Sequence, residues 1–236
     1  MSMTPTAEPR RQVGGYAPGT RPSRWWTVVT AVEVVLAAVA VILDLAIPTF
    51  VILALMVLSL VARRQGPASV GFHRVPHGLA LTGKMLLIAA GWTLVTIGLL
   101  KPIENHLTGT LQDMSQFDSL QGSVPMLLSW TALSWGVAAL GETTAFFGYV
   151  QTRLTEVVGS NGVRLGFAIV VSAVLLGMLH TEYGIVGVAT SAIDGILYGI
   201  LRWRYKTLWA PILAHGFANT IGFVSFFLVG PIYGLW

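Results

Sequence analysis

Glu142 stands inside a long apolar stretch, in Gly141-Glu142-Thr143-Thr144-Ala145-Phe146-Phe147-Gly148-Tyr149, and the first basic residue after it is Arg153. On a helix those 11 positions separate the two by about 16 Å. An ionisable group at such a depth in a bilayer costs a few kcal/mol and is by default functional, with a partner to be found. A carboxylate there suits a general base that takes a proton from water. A structural acid bonded to a neighbouring helix is the alternative.

Two later apolar segments each carry one histidine, His180 and His215, and Asn219 follows His215 by four residues. Positions i and i+4 share one helix face, so His215 and Asn219 aim two donors at one point. Converging donors stabilise a developing oxyanion in acyl transfer, although Asn and His also tie helices together by hydrogen bonds in lipid. His180 ends its segment just after Gly177, where the missing side chain lets another helix approach. Glu182, two residues on, reads as a loop acid, and Asp194 as a carboxylate that faces a polar cavity or orients a histidine, or else bonds to a neighbouring helix. Glu33 and Asp44 lie near the first two apolar runs with no obvious basic partner, and His73, His77 and His106 fall in loops.

One carboxylate and two imidazoles, Glu142, His180 and His215, also make a catalytic zinc ligand set, so a divalent metal such as zinc is a possible cofactor. No His-Glu-x-x-His helix is present, and such a site would be assembled from three separate helices. Ser129 and Ser134 precede Glu142 without a Gly-x-Ser-x-Gly elbow or a Ser-Lys arrangement. With no cysteine in the chain, disulfides and thiol nucleophiles are excluded.

The elements that must position these residues are membrane helices. Hydrophobic residues make up 54% of the 236 and charged ones 10%, with mean hydropathy +0.73; a soluble domain carries about 25% charged residues. Apolar runs at 26–43, 47–62, 79–100, 124–150 and on toward 154, 165–179, 185–201 and 208–229 predict an all-α polytopic protein with about seven transmembrane helices. Asp44 and Pro48 break the first two runs into a hairpin, Lys101-Pro102 ends the third, and 103–122 reads as an external loop. Residues 1–24, rich in Pro, Gly and Arg, read as a disordered cytoplasmic tail, and 25–236 as the transmembrane domain.

If the tail is inside, 12 of the 14 Lys and Arg lie inside, all but Lys84 and Lys101. That places the chain in the cell membrane as a multi-pass protein with a cytoplasmic N-terminus and the C-terminus outside. The basic residues cluster at segment ends rather than on one face, so nucleic acid is not a partner.

Glu142 with Phe146, Gly148-Tyr149 and Gln151-Thr152-Arg153-Leu154, then Gly177-Met178-Leu179-His180, then Leu208-Trp209-Ala210-Pro211-Ile212-Leu213-Ala214-His215 with Asn219, resemble the CPBP family, which includes the type II CAAX prenyl endopeptidases and bacteriocin-processing proteins. The resemblance covers about 124–229. The family's first motif is Glu-Glu-x-x-x-Arg; here its second Glu falls on Thr143 and its Arg on Phe147. The two lost charges stand at i and i+4, the spacing of an ion pair, and losing both leaves no orphan.

The resemblance implies an intramembrane protease, a hydrolase in which Glu142 and His180 activate water and His215 and Asn219 hold the oxyanion. A metalloprotease-like variant would use Glu142, His180 and His215 as ligands. The implied partners are the lipid bilayer and a membrane-associated peptide or protein substrate, reached through a polar cavity bounded by spans four, five and seven and opening toward the cytoplasm. A silent family member, acting as a membrane regulator, immunity factor or peptide-binding protein, is the alternative that Thr143 and Phe147 raise. Counted from the expected cytoplasmic ends, Glu142 and His215 lie about 13–16 Å deep but His180 about 24 Å; the fold must close that gap.

Overall fold

The structure, a computed structural model, describes residues 24–231, so the expected tail lies outside the described residues apart from Arg24. Among them the fold is helical throughout. The helices are α1 (Arg24–Ile42), α2 (Pro48–Ala62), α3 (Gly78–Thr108), α4 (Val124–Val158), α5 (Gly162–Met178), α6 (Thr181–Tyr205) and α7 (Trp209–Val229). Five of these, α1, α3, α4, α6 and α7, are long and apolar enough to cross a membrane; α2 and α5 are shorter and apolar. Many large apolar side chains point outward, among them Val35 on α1, Leu58 on α2 and Leu87 on α3. An apolar outer surface of this kind is stable only against lipid.

The α1–α2 turn forms where expected, with Asp44 and Ala46 at positive φ and Pro48 opening α2. α3 differs from the expectation: Lys101-Pro102 does not end it, and the helix runs on to Thr108. Proline removes one N–H and its ring crowds the carbonyl four residues back. Here the preceding turn, Thr96–Leu100, is a wide π turn, which absorbs both effects. The connection from α3 to α4 therefore begins at Gly109, and a short 3₁₀ turn, Ser115–Leu120, sits within it.

α4 is wide-turned over most of its inner half, with π-helical stretches at Ser134–Glu142 and Thr144–Val150. It continues to Val158, past the expected end near Leu154. That extension closes the depth gap. Glu142 lies 16 positions from the end of α4 at Val158, and His180 lies 18 positions from the start of α5 at Gly162. The two helices are joined by a short turn at that end, so the two residues come level.

His215 joins them because α7 starts inside the bundle rather than at its surface. The Leu208 N–H donates to the Gly71 carbonyl at 2.8 Å, and a methyl at Gly148 would meet Leu208 at 3.0 Å and the Val70 carbonyl oxygen at 3.3 Å. α7 thus begins level with Gly148, and seven residues later His215 is level with Thr143. α5 and α6 are in tight contact at Gly177, where an added methyl would sit 2.6 Å from the Val188 carbonyl oxygen.

Glu33 has basic partners that its sequence neighbourhood did not show. Arg63 pairs with it at 2.9 Å and Arg153 at 3.4 Å, and both guanidiniums also reach Glu156, at 3.5 and 2.8 Å. Arg153, expected at the membrane boundary, is fully buried in this cluster, where it also donates to Ser59 Oγ at 3.0 Å. The four charges fasten α1, α2 and α4 together at the basic end of the bundle.

Candidate active site

α3, α4, α5, α6 and α7 enclose one cavity of about 350 Å³. Glu142, His180, His215 and Asn219 all line it, so the sequence-derived set is brought together. Its walls include α3 and α6 as well as the expected spans four, five and seven. Gln112, Met114, Phe117, Glu182 and Tyr183, from the connections at the far end of the bundle from the basic clusters, also line it. The basic end is closed by the four-charge cluster and by the packing of Leu208 under Gly148.

Glu142 is half-buried, and its Oε2 is a buried oxygen with no hydrogen-bond partner. It lies within electrostatic reach of His180 and Glu182. A buried carboxylate oxygen left unpaired is costly unless water or substrate completes it. The cavity beside it is polar enough and roomy enough to hold water.

The two histidines are held in different ways. His180 Nδ1 lies 3.0 Å from the Leu176 carbonyl oxygen. A carbonyl only accepts, so Nδ1 carries the proton and Nε2 is the basic atom of that ring. His215 Nδ1 lies 3.1 Å from the Thr143 hydroxyl, and its ring stacks on Tyr198 with centroids 4.7 Å apart at 20°. The Phe147 ring packs edge-on against the other side of this arrangement, 6.1 Å from Tyr198. Asn219 donates one amide N–H to Ser134 Oγ at 2.9 Å.

The residues missed from sequence are those that support this set. Thr143 had been read only as a departure from a motif, and Ser134 only as a poor nucleophile; no sequence signal marks either as a hydrogen-bond partner. Tyr198 could have been found, since it stands four residues after Asp194 and so shares its helix face. Asp194 does line the cavity and accepts from Trp92 Nε1 at 2.6 Å. It therefore faces the cavity and bonds to a neighbouring helix, and no direct bond from it to a histidine is seen among the described residues. Glu182 is exposed at the cavity edge, and His106 is exposed on α3.

A metal does not fit this arrangement. Among the described residues, no three His, Cys, Asp or Glu side chains converge closely enough to hold an ion. Glu142, His180 and His215 share the cavity, but one nitrogen of each ring is turned to Leu176 or Thr143. The metalloprotease-like expectation is not supported, and no step below is routed through an ion.

Comparison with known proteins supplies the remaining observation. Residues 124–221 match the family described as type II CAAX prenyl endopeptidase Rce1-like. That part of the chain, less than half of its length, is similar to this family. No curated protein and no solved structure matches the chain. The Rce1-like segment holds Glu142, His180, His215 and Asn219 and leaves α1 to α3 outside it. The family so described is one of endopeptidases, which supports a CAAX-type intramembrane endopeptidase in general terms.

Proposed function

We propose that this protein hydrolyses a peptide bond in its cavity by water attack with Glu142 as the base. The observation that carries the reading is the unpaired, buried Glu142 carboxylate oxygen in the same cavity as His180, His215 and Asn219. A water between Glu142 and His180 Nε2 gives up a proton to them, and its oxygen bonds to the carbonyl carbon. The carbonyl oxygen becomes the oxyanion. When the tetrahedral intermediate collapses, the C–N bond breaks and the captured proton passes to the leaving nitrogen.

His215 and Asn219 supply the oxyanion donors. With the Thr143 hydroxyl donating to Nδ1, the other ring nitrogen of His215 keeps its proton and donates. Asn219 has two amide hydrogens and spends one on Ser134, which leaves the second for the same oxygen. The two histidines thus hold opposite tautomers, one set to accept and one to donate. Preorganised donors of this kind account for about 3–4 kcal/mol each when removed from an oxyanion site.

Thr143 and Phe147 favour a second reading, a receptor that binds a membrane peptide without cleaving it. Both readings are tested with the full chain in vesicles and a mixed-sequence peptide library, with products read by mass spectrometry. Cleavage by the unaltered protein, abolished by Glu142→Ala and reduced at least about 100-fold by His215→Ala, is the expected result. Cleavage that persists in both variants overturns the assignment. Peptide binding without any cleavage by the unaltered protein establishes the receptor.

A further inference from the structure

Arg202 stands in the last turn of α6 and is only 7% exposed. Its Nε is buried without an acceptor, and the ion pairs at this end of the bundle leave it out, since Glu33 and Glu156 are both taken by Arg63 and Arg153. A buried cation without a partner is costly unless something completes it. A cation in the last turn also offsets the helix dipole, which is the structural role open to Arg202. That role needs no burial: Arg204, in the same turn, is exposed.

The α2–α3 connection is shaped to hold the buried group. Gly71 follows the 3₁₀ turn Pro67–Val70 at φ 108°, and a methyl there would overlap Nη2, Cζ and Nε of Arg202. Both the backbone conformation and the close approach call for glycine. The Gly71 carbonyl accepts from the Leu208 N–H, so it does not serve Arg202. Lys206, exposed and four residues on, rests over the Trp203 ring at 5.3 Å and is within electrostatic reach of Arg202. Two neighbouring cations with no acid between them make a place for an anion.

The surface beside them is apolar. Phe72, next to Gly71, packs edge-on against Trp209 with ring centroids 5.5 Å apart. Beyond that contact a groove of about 400 Å³ lies between the starts of α3 and α7, walled by Val75, Leu81, Trp209 and Leu213, with the exposed Arg74 also lining it. Gly71 and Arg74 are three residues apart, so the groove begins within about 10 Å of the guanidinium.

We propose that Arg202 and Lys206 bind the phosphate of an anionic phospholipid in the leaflet at the basic end of the bundle, with an acyl chain in the α3–α7 groove. A planar guanidinium and an ammonium side by side suit a headgroup of net negative charge. Basic pockets between membrane helices hold such headgroups, and the apolar groove with Trp203 and Trp209 at interfacial level favours a lipid over a free phosphate ion. None of these residues lines the peptide cavity, so the proposal stands apart from the assignment of Glu142.

The test reads binding to the full chain in neutral detergent by native mass spectrometry, with phosphatidylglycerol, phosphatidylcholine and soluble glycerol phosphate as probes. One phosphatidylglycerol should bind at least about tenfold more tightly than phosphatidylcholine, which corresponds to about 1.4 kcal/mol, and glycerol phosphate should not be retained. Arg202→Met should bring the ratio below about twofold, while Arg204→Met should leave it unchanged. Equal binding of the two lipids by the unaltered protein, or an unchanged ratio in Arg202→Met, overturns the proposal. Glycerol phosphate held as tightly as the lipid makes this a site for free phosphate and overturns the lipid. If Arg202→Met fails to fold, Lys206→Glu, at an exposed position, decides: a ratio lowered at least about threefold supports the site, and an unchanged one overturns it.

Discussion

At the scale of single residues, the two departures from the family's first motif have physical substitutes. Thr143 puts a hydroxyl on His215 Nδ1, and Phe147 packs against the Tyr198 ring that stacks on the same imidazole. A neutral hydrogen bond and the Tyr198 stack, itself backed by Phe147, hold the ring in a place where a charged pair would need mutual compensation. Replacing Thr143 with Val keeps the shape and removes the hydroxyl that bonds to His215. A hydrogen bond of this kind is worth about 0.5–1.5 kcal/mol, so kcat should fall about 3- to 10-fold with KM little changed, and Thr143→Ser should restore it. A purely structural role for Thr143 would lower the thermal stability instead and leave kcat alone. Glu142, His180, His215 and Asn219 were legible in the sequence because each is a polar group in an apolar run. Thr143 and Ser134 were not, because a hydroxyl in a helix has no cost that marks it until its partner's position is known.

At the scale of elements, helix existence was written in the apolar runs, but helix ends and depths were not. The sequence reading stopped α3 at Pro102 and counted the depth of Glu142 from Arg153. Both errors have one source: a proline or an arginine was taken as a boundary, while a π turn accommodates the first and three other charged groups bury the second. The Arg63–Glu33–Arg153–Glu156 cluster is legible only in space, since its members are 30 or more residues apart except for the i, i+3 pair. Arg153 has 1% side-chain exposure. Its removal in Arg153→Met strips two buried carboxylates of a partner and should cost about 3 kcal/mol, read as a lower unfolding temperature in detergent. The loss should exceed that from an exposed cation such as Arg204→Met, and equal losses at the two sites would show that the buried cluster adds nothing.

At the scale of the whole molecule, the distribution of charge proposes an orientation. Basic residues gather where α2, α4 and α6 end, and the cavity opens at the other end, so the positive-inside rule directs its mouth out of the cytoplasm. The absence of cysteine makes this simple to measure. Ser115→Cys, exposed on the external connection, should react with a membrane-impermeant maleimide on intact cells, and Ser160→Cys, exposed in the α4–α5 turn, only after lysis. The reverse pattern would invert the whole arrangement. On the proposed function, substrate would then reach Glu142 from the side to which Gln112 and Phe117 belong.

The two short helices carry a consequence for the lipid around the protein. At about 1.5 Å per residue, the 15 residues of α2 and the 17 of α5 are roughly 22 and 26 Å long, against a hydrocarbon core of about 30 Å. On the seven-span reading, the bilayer must thin along those two edges to cover their exposed Leu58, Val61, Phe167 and Val170. The long α3 and α4 demand no such thinning. On that reading the protein thins its own membrane locally and suits short-chain lipid, with the margin nearer to the depth of Glu142 than the bulk thickness would allow.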